Sequence, residues 1–335
     1  MNTTMTRTIL ALALCATGFL GTVQAKDTRV FWLNESGQMA VHRFNVTNVG
    51  EADETWTETE PLMTFSSSSW VCNVIPAHGG YYLCKGDGWV QRYDKNGTWV
   101  RNVGQLGGCT CFEMSGDQAY IYGSDLDSGA GRNKISALHL GSGTSSVFVT
   151  NGISKVRCLA WGSDGLLYAC GRSNGAQAGY WGDTLPQYSG VQAIDVSNGK
   201  GAVVKHWYRT DGSTGGCAVD VARNHVYCFS GNVANVFGRS EYGLDGEITD
   251  FVRAWPSVVL NNPFAGALIA GNPYTAEWQA GRGNVYRFDA TNGATLVASI
   301  ASSEVADSEQ IGKAHALRED VFPEEDTTEA ITKLL

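Results

Sequence analysis

Charge is the first shortage. Only 17% of the 335 residues are charged, against about 25% in average usage. Bases are the rarer kind, since 24 Lys and Arg face 33 Asp and Glu for a net charge of −9. A surface of that sign cannot neutralise phosphates, which excludes nucleic acid as a partner. Proline is scarce too, with 7 residues, so there is no Pro-rich linker or collagen-like repeat. After the first 25 residues no apolar run approaches the roughly twenty residues that a membrane-spanning helix needs. Catalytic signatures are missing as well: there is no G-X-S-X-G elbow, no H-E-X-X-H, no phosphate loop and no Cys pair with His at zinc spacing. Glycine is abundant, with 41 residues, and 43% of the chain is hydrophobic, including 10% aromatics. Such a chain can bury a core and is not disordered, which leaves short strands joined by Gly turns.

The first segment reads as an address. Arg7 precedes an apolar run from Ile9 to Leu20, and Val23-Gln24-Ala25 supplies the small residues that a signal peptidase inspects. Cleavage after residue 25 leaves 310 residues from Lys26, secreted to the outside, or to the periplasm in a bacterium. Cys15 goes with the leader, and the eight remaining cysteines in an oxidising compartment favour disulfides. Sequons at Asn34, Asn45 and Asn96 are surface sites in a host that glycosylates. The acidity is concentrated in residues 304–335, where nine acids face three bases, a net of −6. The expected organisation is a signal at 1–25, a repeat domain at 26–303 and an acidic segment at 304–335.

A repeat organises the middle. CNVIPAHGGYYLC, CFEMSGDQAYIY, CLAWGSDGLLYAC and CAVDVARNHVYC share a strand, a turn and a second strand ending in Tyr or Tyr-X-Cys, so each is a hairpin. A second hairpin follows in WVQRYDKNGTWV, ISALHLGSGTSSVFV, VQAIDVSNGKGAVV and VYRFDATNGATLV. Four strands per roughly 40 to 60 residues is the signature of a β-propeller blade, with six blades, or seven, in the mature chain. Arg29 to Asn34 and Met39 to Val46 read as the second and third strands of a blade without a first strand. A stretch around Lys313 to Phe322 can supply it and leave no open edge.

Cysteine spacing offers an independent reading. Opposed residues of an antiparallel hairpin have positions of constant sum, and the half-sum marks the turn. Cys72 with Cys84, Cys158 with Cys170 and Cys217 with Cys228 all centre on the expected turns. Opposed β-carbons lie about 4.5–5.5 Å apart, close to disulfide geometry, so three cross-strand staples are expected. By the same arithmetic Cys111 opposes Tyr122, not a cysteine. Cys109 and Cys111 then form either a strained C-X-C disulfide or two thiols.

Connections between second and third strands are expected to be long in four blades: Gly123 to Lys134, Gly171 to Gly190, Ser230 to Gly246 and Asn272 to Asn284. Long loops on one face of a rigid scaffold are where function usually sits. They hold Tyr180, Trp181, Asp183, Arg239, Glu241, Tyr274, Glu277 and Trp278. Flat aromatics beside carboxylates and Arg suit a sugar, and equally a protein partner. The alternative is that these aromatics pack the loops down. Asp125 and Asp127, followed by Gly129, are spaced as in many calcium loops, but further ligands are not legible, so a solvated acidic turn is the competing reading. Asp94, Asp195 and Asp289 read as turn caps and His139 as a turn residue at the equivalent place.

The Asp-X-X-Asn-Gly turns of Asp195 to Gly199 and Asp289 to Gly293 resemble those of quinoprotein-like, NHL and gluconolactonase-type propellers. The resemblance implies an all-β propeller, a fold that hosts binders, scaffolds and enzymes. SDLDSGAGR resembles the Asp-X-X-Gly-Arg signature of the lactonases, but Ser128 stands where the Asp belongs. Three functions are open. The first is a recognition module for a glycan or an extracellular glycoprotein. The second is a metal-dependent lactonase or hydrolase with Asp125 and Asp127 near the ion. The third is a structural protein that self-associates through its acidic C-terminal segment.

Overall fold

The computed structural model describes residues 28–319, apart from 37, 66–70, 86, 108–110, 125–133, 150–154, 173–189, 209–213, 223–224, 231–237, 244–249, 254–262, 278–281, 290–292 and 302–310. Every regular element among them is a β-strand. The first sheet holds β1 (Thr28–Ser36), β2 (Gln38–Thr47) and β3 (Thr55–Phe65). The second holds β4 (Val71–Ala77), β5 (Gly80–Lys85), β6 (Trp89–Asp94) and β7 (Trp99–Gln105). The third holds β8 (Cys111–Met114), β9 (Tyr120–Ser124), β10 (Ile135–His139) and β11 (Ser145–Val149). The fourth holds β12 (Lys155–Trp161), β13 (Leu166–Arg172), β14 (Gly190–Asp195) and β15 (Ala202–Tyr208). The fifth holds β16 (Thr214–Asp220), β17 (His225–Ser230), β18 (Gly238–Gly243) and β19 (Asp250–Arg253). The sixth holds β20 (Pro263–Ile269), β21 (Asn272–Glu277), β22 (Arg282–Asp289) and β23 (Gly293–Ala301). The first sheet gains its fourth member from β24 (Ile311–Glu319), which pairs antiparallel with β1 from Val30↔Glu319 to Ser36↔Ile311.

The innermost strands neighbour one another in a closed cycle: β24, β4, β8, β12, β16, β20 and back to β24. Antiparallel sheets set in a ring make a β-propeller. Apolar layers fill the joints between sheets. Ile75, Tyr82 and Val90 of the second sheet meet Phe112, Ile121 and Leu138 of the third. Tyr122, Ile135 and Val149 of the third sheet meet Val156, Leu159 and Ile194 of the fourth. Phe44 and Val46 of the first sheet meet Ile269, Tyr274 and Val285 of the sixth. Each such side chain contributes about 1.5–3 kcal/mol by leaving water, so the shortage of charge fits the strands buried between neighbouring sheets, such as β5 and β8.

Turn chemistry fixes the hairpins. His78 and Gly79 both have positive φ (51° and 66°), as do Ala270 and Gly271 (46° and 78°), the backbone that a two-residue hairpin turn requires. Asp94 Oδ1 accepts from the backbone N–H groups of Asn96 (2.9 Å) and Thr98 (2.8 Å), and Asp195 Oδ1 from that of Ser197 (2.8 Å). Both are the turn caps expected. His139 fills the same role through Nδ1, which accepts from Ser142 N at 3.1 Å.

Cysteine register follows the arithmetic in two hairpins. Cys158 pairs with Cys170 and Cys217 with Cys228. In the β4–β5 hairpin a register shift between Val71 and Asn73 puts Asn73 opposite Cys84, with Cys72 in the irregularity beside it. Cys111 opposes Ser124, not Tyr122, which pairs with Glu113 instead. The β8–β9 turn is two residues longer than the symmetric count assumed, and Cys111 Sγ lies 3.0 Å from Ser124 Oγ. Cys109 lies outside the described residues.

Candidate functional site

Strand direction alternates within each sheet. Second-to-third connections and the crossings to the next sheet therefore leave at one end of the ring, and the tight hairpin turns at the other. At the first end, residues 125–134 link β9 to β10 and residues 173–189 link β13 to β14, the long connections expected there. The other two are shorter than expected. Arg239 and Glu241 lie within β18, opposite Phe229 and Tyr227, so only residues 231–237 separate β17 from β18. Glu277 is the last residue of β21, paired with Pro263, and only residues 278–281 precede β22. Tyr180, Trp181, Asp183 and Trp278, with Asp125 and Asp127, lie outside the described residues. Among the described residues no three His, Cys, Asp or Glu side chains gather as a metal site.

Tyr274 departs from its expected place. The hairpin turn lies at Ala270 and Gly271, so the stretch from Asn272 expected as a long connection begins as β21, and Tyr274 within it is fully buried. Its hydroxyl donates to Glu54 Oε2 at 2.9 Å. Glu54, in the β2–β3 turn, also faces Arg287 of β22 at 2.5 Å and accepts from Trp56 Nε1 (2.6 Å) and Gly50 N (2.8 Å). Arg287 Nη1 reaches Glu51 O at 2.7 Å. Burial, followed by the Glu54 charge, pushes the Tyr274 hydroxyl above the usual phenol range. The cluster is closed to solvent and joins the first sheet to the sixth, so its work is structural.

A second buried cation ties the tight-turn end of the second sheet. Arg92 donates to the carbonyls of His78 and Tyr93 and lies 4.9 Å from the Tyr82 ring centroid, while the Tyr82 hydroxyl meets His78 Nδ1 at 2.8 Å. Burial lowers the Arg92 pKa and raises that of Tyr82.

A groove of about 660 Å³ opens on the rim between the second and third sheets. That volume falls in the range of about 300–1,000 Å³ usual for small-ligand sites. Trp89 opens β6, Gln105 closes β7 and Lys134 precedes β10, so all three mark the end from which the long connections leave. Ser136 of β10 and Ser145 and Val147 of β11 line its flank. Trp89 is 38% exposed, high for so large an apolar side chain. Its strand end is held firmly: Trp89 N donates to Asp87 Oδ1 (3.2 Å), Gln105 Nε2 to Asp87 O (3.0 Å) and Leu106 N to Gly88 O (2.8 Å). Glycines let the two sheets close behind the groove. A Cβ on Gly104 would lie 2.5 Å from Leu138 Cδ1 and 2.6 Å from Gly143 O, with no room to relax against that backbone. Trp89 and Lys134 do not stand out in the sequence, because Trp89 reads as an ordinary strand residue of WVQRYDKNGTWV. Its placement directly after Gly86-Asp87-Gly88 is the only local signal of a ring set at a turn.

No family model matches the chain, and no curated protein is similar to it. Among solved structures it is similar to a chain from the crystal structure of a nidogen/laminin complex, with 10% identity and a TM-score of 0.62. The match covers 88% of this chain and 98% of that one. At such low identity the likeness shows the fold alone, the β-propeller.

Proposed function

We propose that the chain is a secreted recognition propeller, each four-stranded sheet one of six blades, that binds a glycan or glycoprotein through the end carrying its long connections. One observation carries the reading. The connections at 125–134 and 173–189 leave the ring at the same end as the Trp89 and Lys134 mouth of the rim groove. That shared end supports a binding surface that joins the loop aromatics and carboxylates expected from the sequence to the half-exposed Trp89. The solved neighbour, taken from a nidogen/laminin complex, supports a binding role. The leader-like residues 1–25 support export, as do three proposed staples, Cys72–Cys84, Cys158–Cys170 and Cys217–Cys228, two of them directly opposed in register. Peptide mapping without reduction checks the staples, and recovery of these cysteines as alkylated thiols removes them from the model of export.

A glycan array probed with the exported protein tests the function. Binding that Trp181→Ala or Trp278→Ala abolishes is expected. An array on which the folded protein binds nothing overturns the reading.

A further inference from the structure

We propose that the rim groove between the second and third sheets is a saccharide site selective for acidic sugars, such as a short uronic-acid oligomer. The assignment rests on the recognition reading above and names the ligand class of one site within it. Three observations carry it. Trp89 presents an exposed flat ring on a strand end held by three hydrogen bonds, a platform suited to the apolar face of a pyranose. Ser136, Ser145 and Gln105 supply short hydroxyl and amide groups around it, which can both donate to and accept from sugar hydroxyls. The lining also contains Lys134 and no Asp or Glu, in a chain where acids outnumber bases by 33 to 24.

That last point selects an acidic sugar over a neutral one. The nearest acid along the chain, Asp87, is engaged with Trp89 N and lies 3.8 Å from Lys85, so it leaves Lys134 as the groove's cation. A carboxylate on the sugar then meets a charge-assisted donor at the groove mouth. A peptide strand is the weaker occupant, because the floor is closed by Gly104 against Gly143 and the lining offers three serine hydroxyls and the Gln105 amide.

Calorimetric titration of the exported protein with a trigalacturonate and with the matched neutral galactose trimer tests the assignment. The acidic trimer should bind more tightly, and rising salt should weaken it selectively. Trp89→Ala should weaken both trimers at least about tenfold. Lys134→Gln should weaken the acidic trimer by roughly fivefold and leave the neutral one unchanged, abolishing the preference. Trp89→Leu keeps the bulk and removes the flat ring, and unfolding midpoints equal to the parent show that the variants fold. Equal binding of the two trimers, no binding of the acidic trimer, or unchanged binding in the Trp89 variants overturns the groove. Array binding lost in Trp181→Ala but kept in Trp89→Ala overturns the groove and leaves the proposed function standing.

Discussion

Two joints of the ring solve the same packing problem differently. Between the first and sixth sheets, which the two ends of the chain bring together, the apolar layer is crossed by a buried ion pair, Glu54 with Arg287, capped by Tyr274 and Trp56. Between the second and third sheets the layer from Ile75 to Leu140 is apolar, crossed by one neutral hydrogen bond in which Asn73 Nδ2 donates to Phe112 O at 2.8 Å, and its outer rim opens into the groove. The first joint is held by opposite charges 233 residues apart in the chain, the second by apolar contact with a single neutral hydrogen bond.

The largest effect should come from breaking the polar joint. Glu54→Gln leaves Arg287 buried without its counter-charge and should cost about 3–5 kcal/mol in urea unfolding. Adding Arg287→Met should recover much of that loss; failure to recover would mean that the pair does more than neutralise itself. Next comes the close approach behind the groove. Gly104→Ala forces a methyl group onto Gly143 O and should cost roughly 1–3 kcal/mol while widening the groove, read as altered trimer affinity. The apolar joint should be more forgiving of subtle change: Ile121→Val should cost about 0.5–1.5 kcal/mol with no effect on the first–sixth joint.

The smallest effect is in pH dependence. Tyr274 and Tyr82 both have pKa values raised in the folded protein, chiefly by burial. Their contribution is therefore whole below the unfolded value near 10.0 and is lost as pH rises from there through the folded value. At Tyr274 the Glu54 charge adds to burial, whereas at Tyr82 the Arg92 charge opposes it. Tyr274→Phe should accordingly flatten the alkaline loss of stability more than Tyr82→Phe, and the reverse order would contradict the contrast between the joints.

Local chemistry was legible in the sequence wherever it closes on itself. The Asp94 and Asp195 caps, the Gly turns and the opposed Cys158–Cys170 and Cys217–Cys228 positions depend on neighbours within a hairpin, and the all-β propeller follows from their repetition. Local irregularities break that symmetry. The shift beside Val71 displaced Cys72, and the longer β8–β9 turn moved Cys111 to Ser124. Ala270 and Gly271 make the tight turn, so residues 272–277, expected in a long connection, pair as β21 and carry Tyr274 into the core. Gly238–Gly243 is polar and poor in β-branched residues, which hid β18. The groove could not be read at all, because Trp89 and Ser145 meet only when two sheets pack.

The pairing of β24 with β1 also sets a timetable. Ribosomes deliver about 5–20 residues per second, so residues 311–319 follow β1 by an interval on the order of fifteen to sixty seconds. Throughout that time the inner edge of β1 has backbone groups awaiting a partner, and any strand from another chain can take the place first. A chain truncated before residue 311 keeps that edge open, and the edge is then a template for pairing between copies.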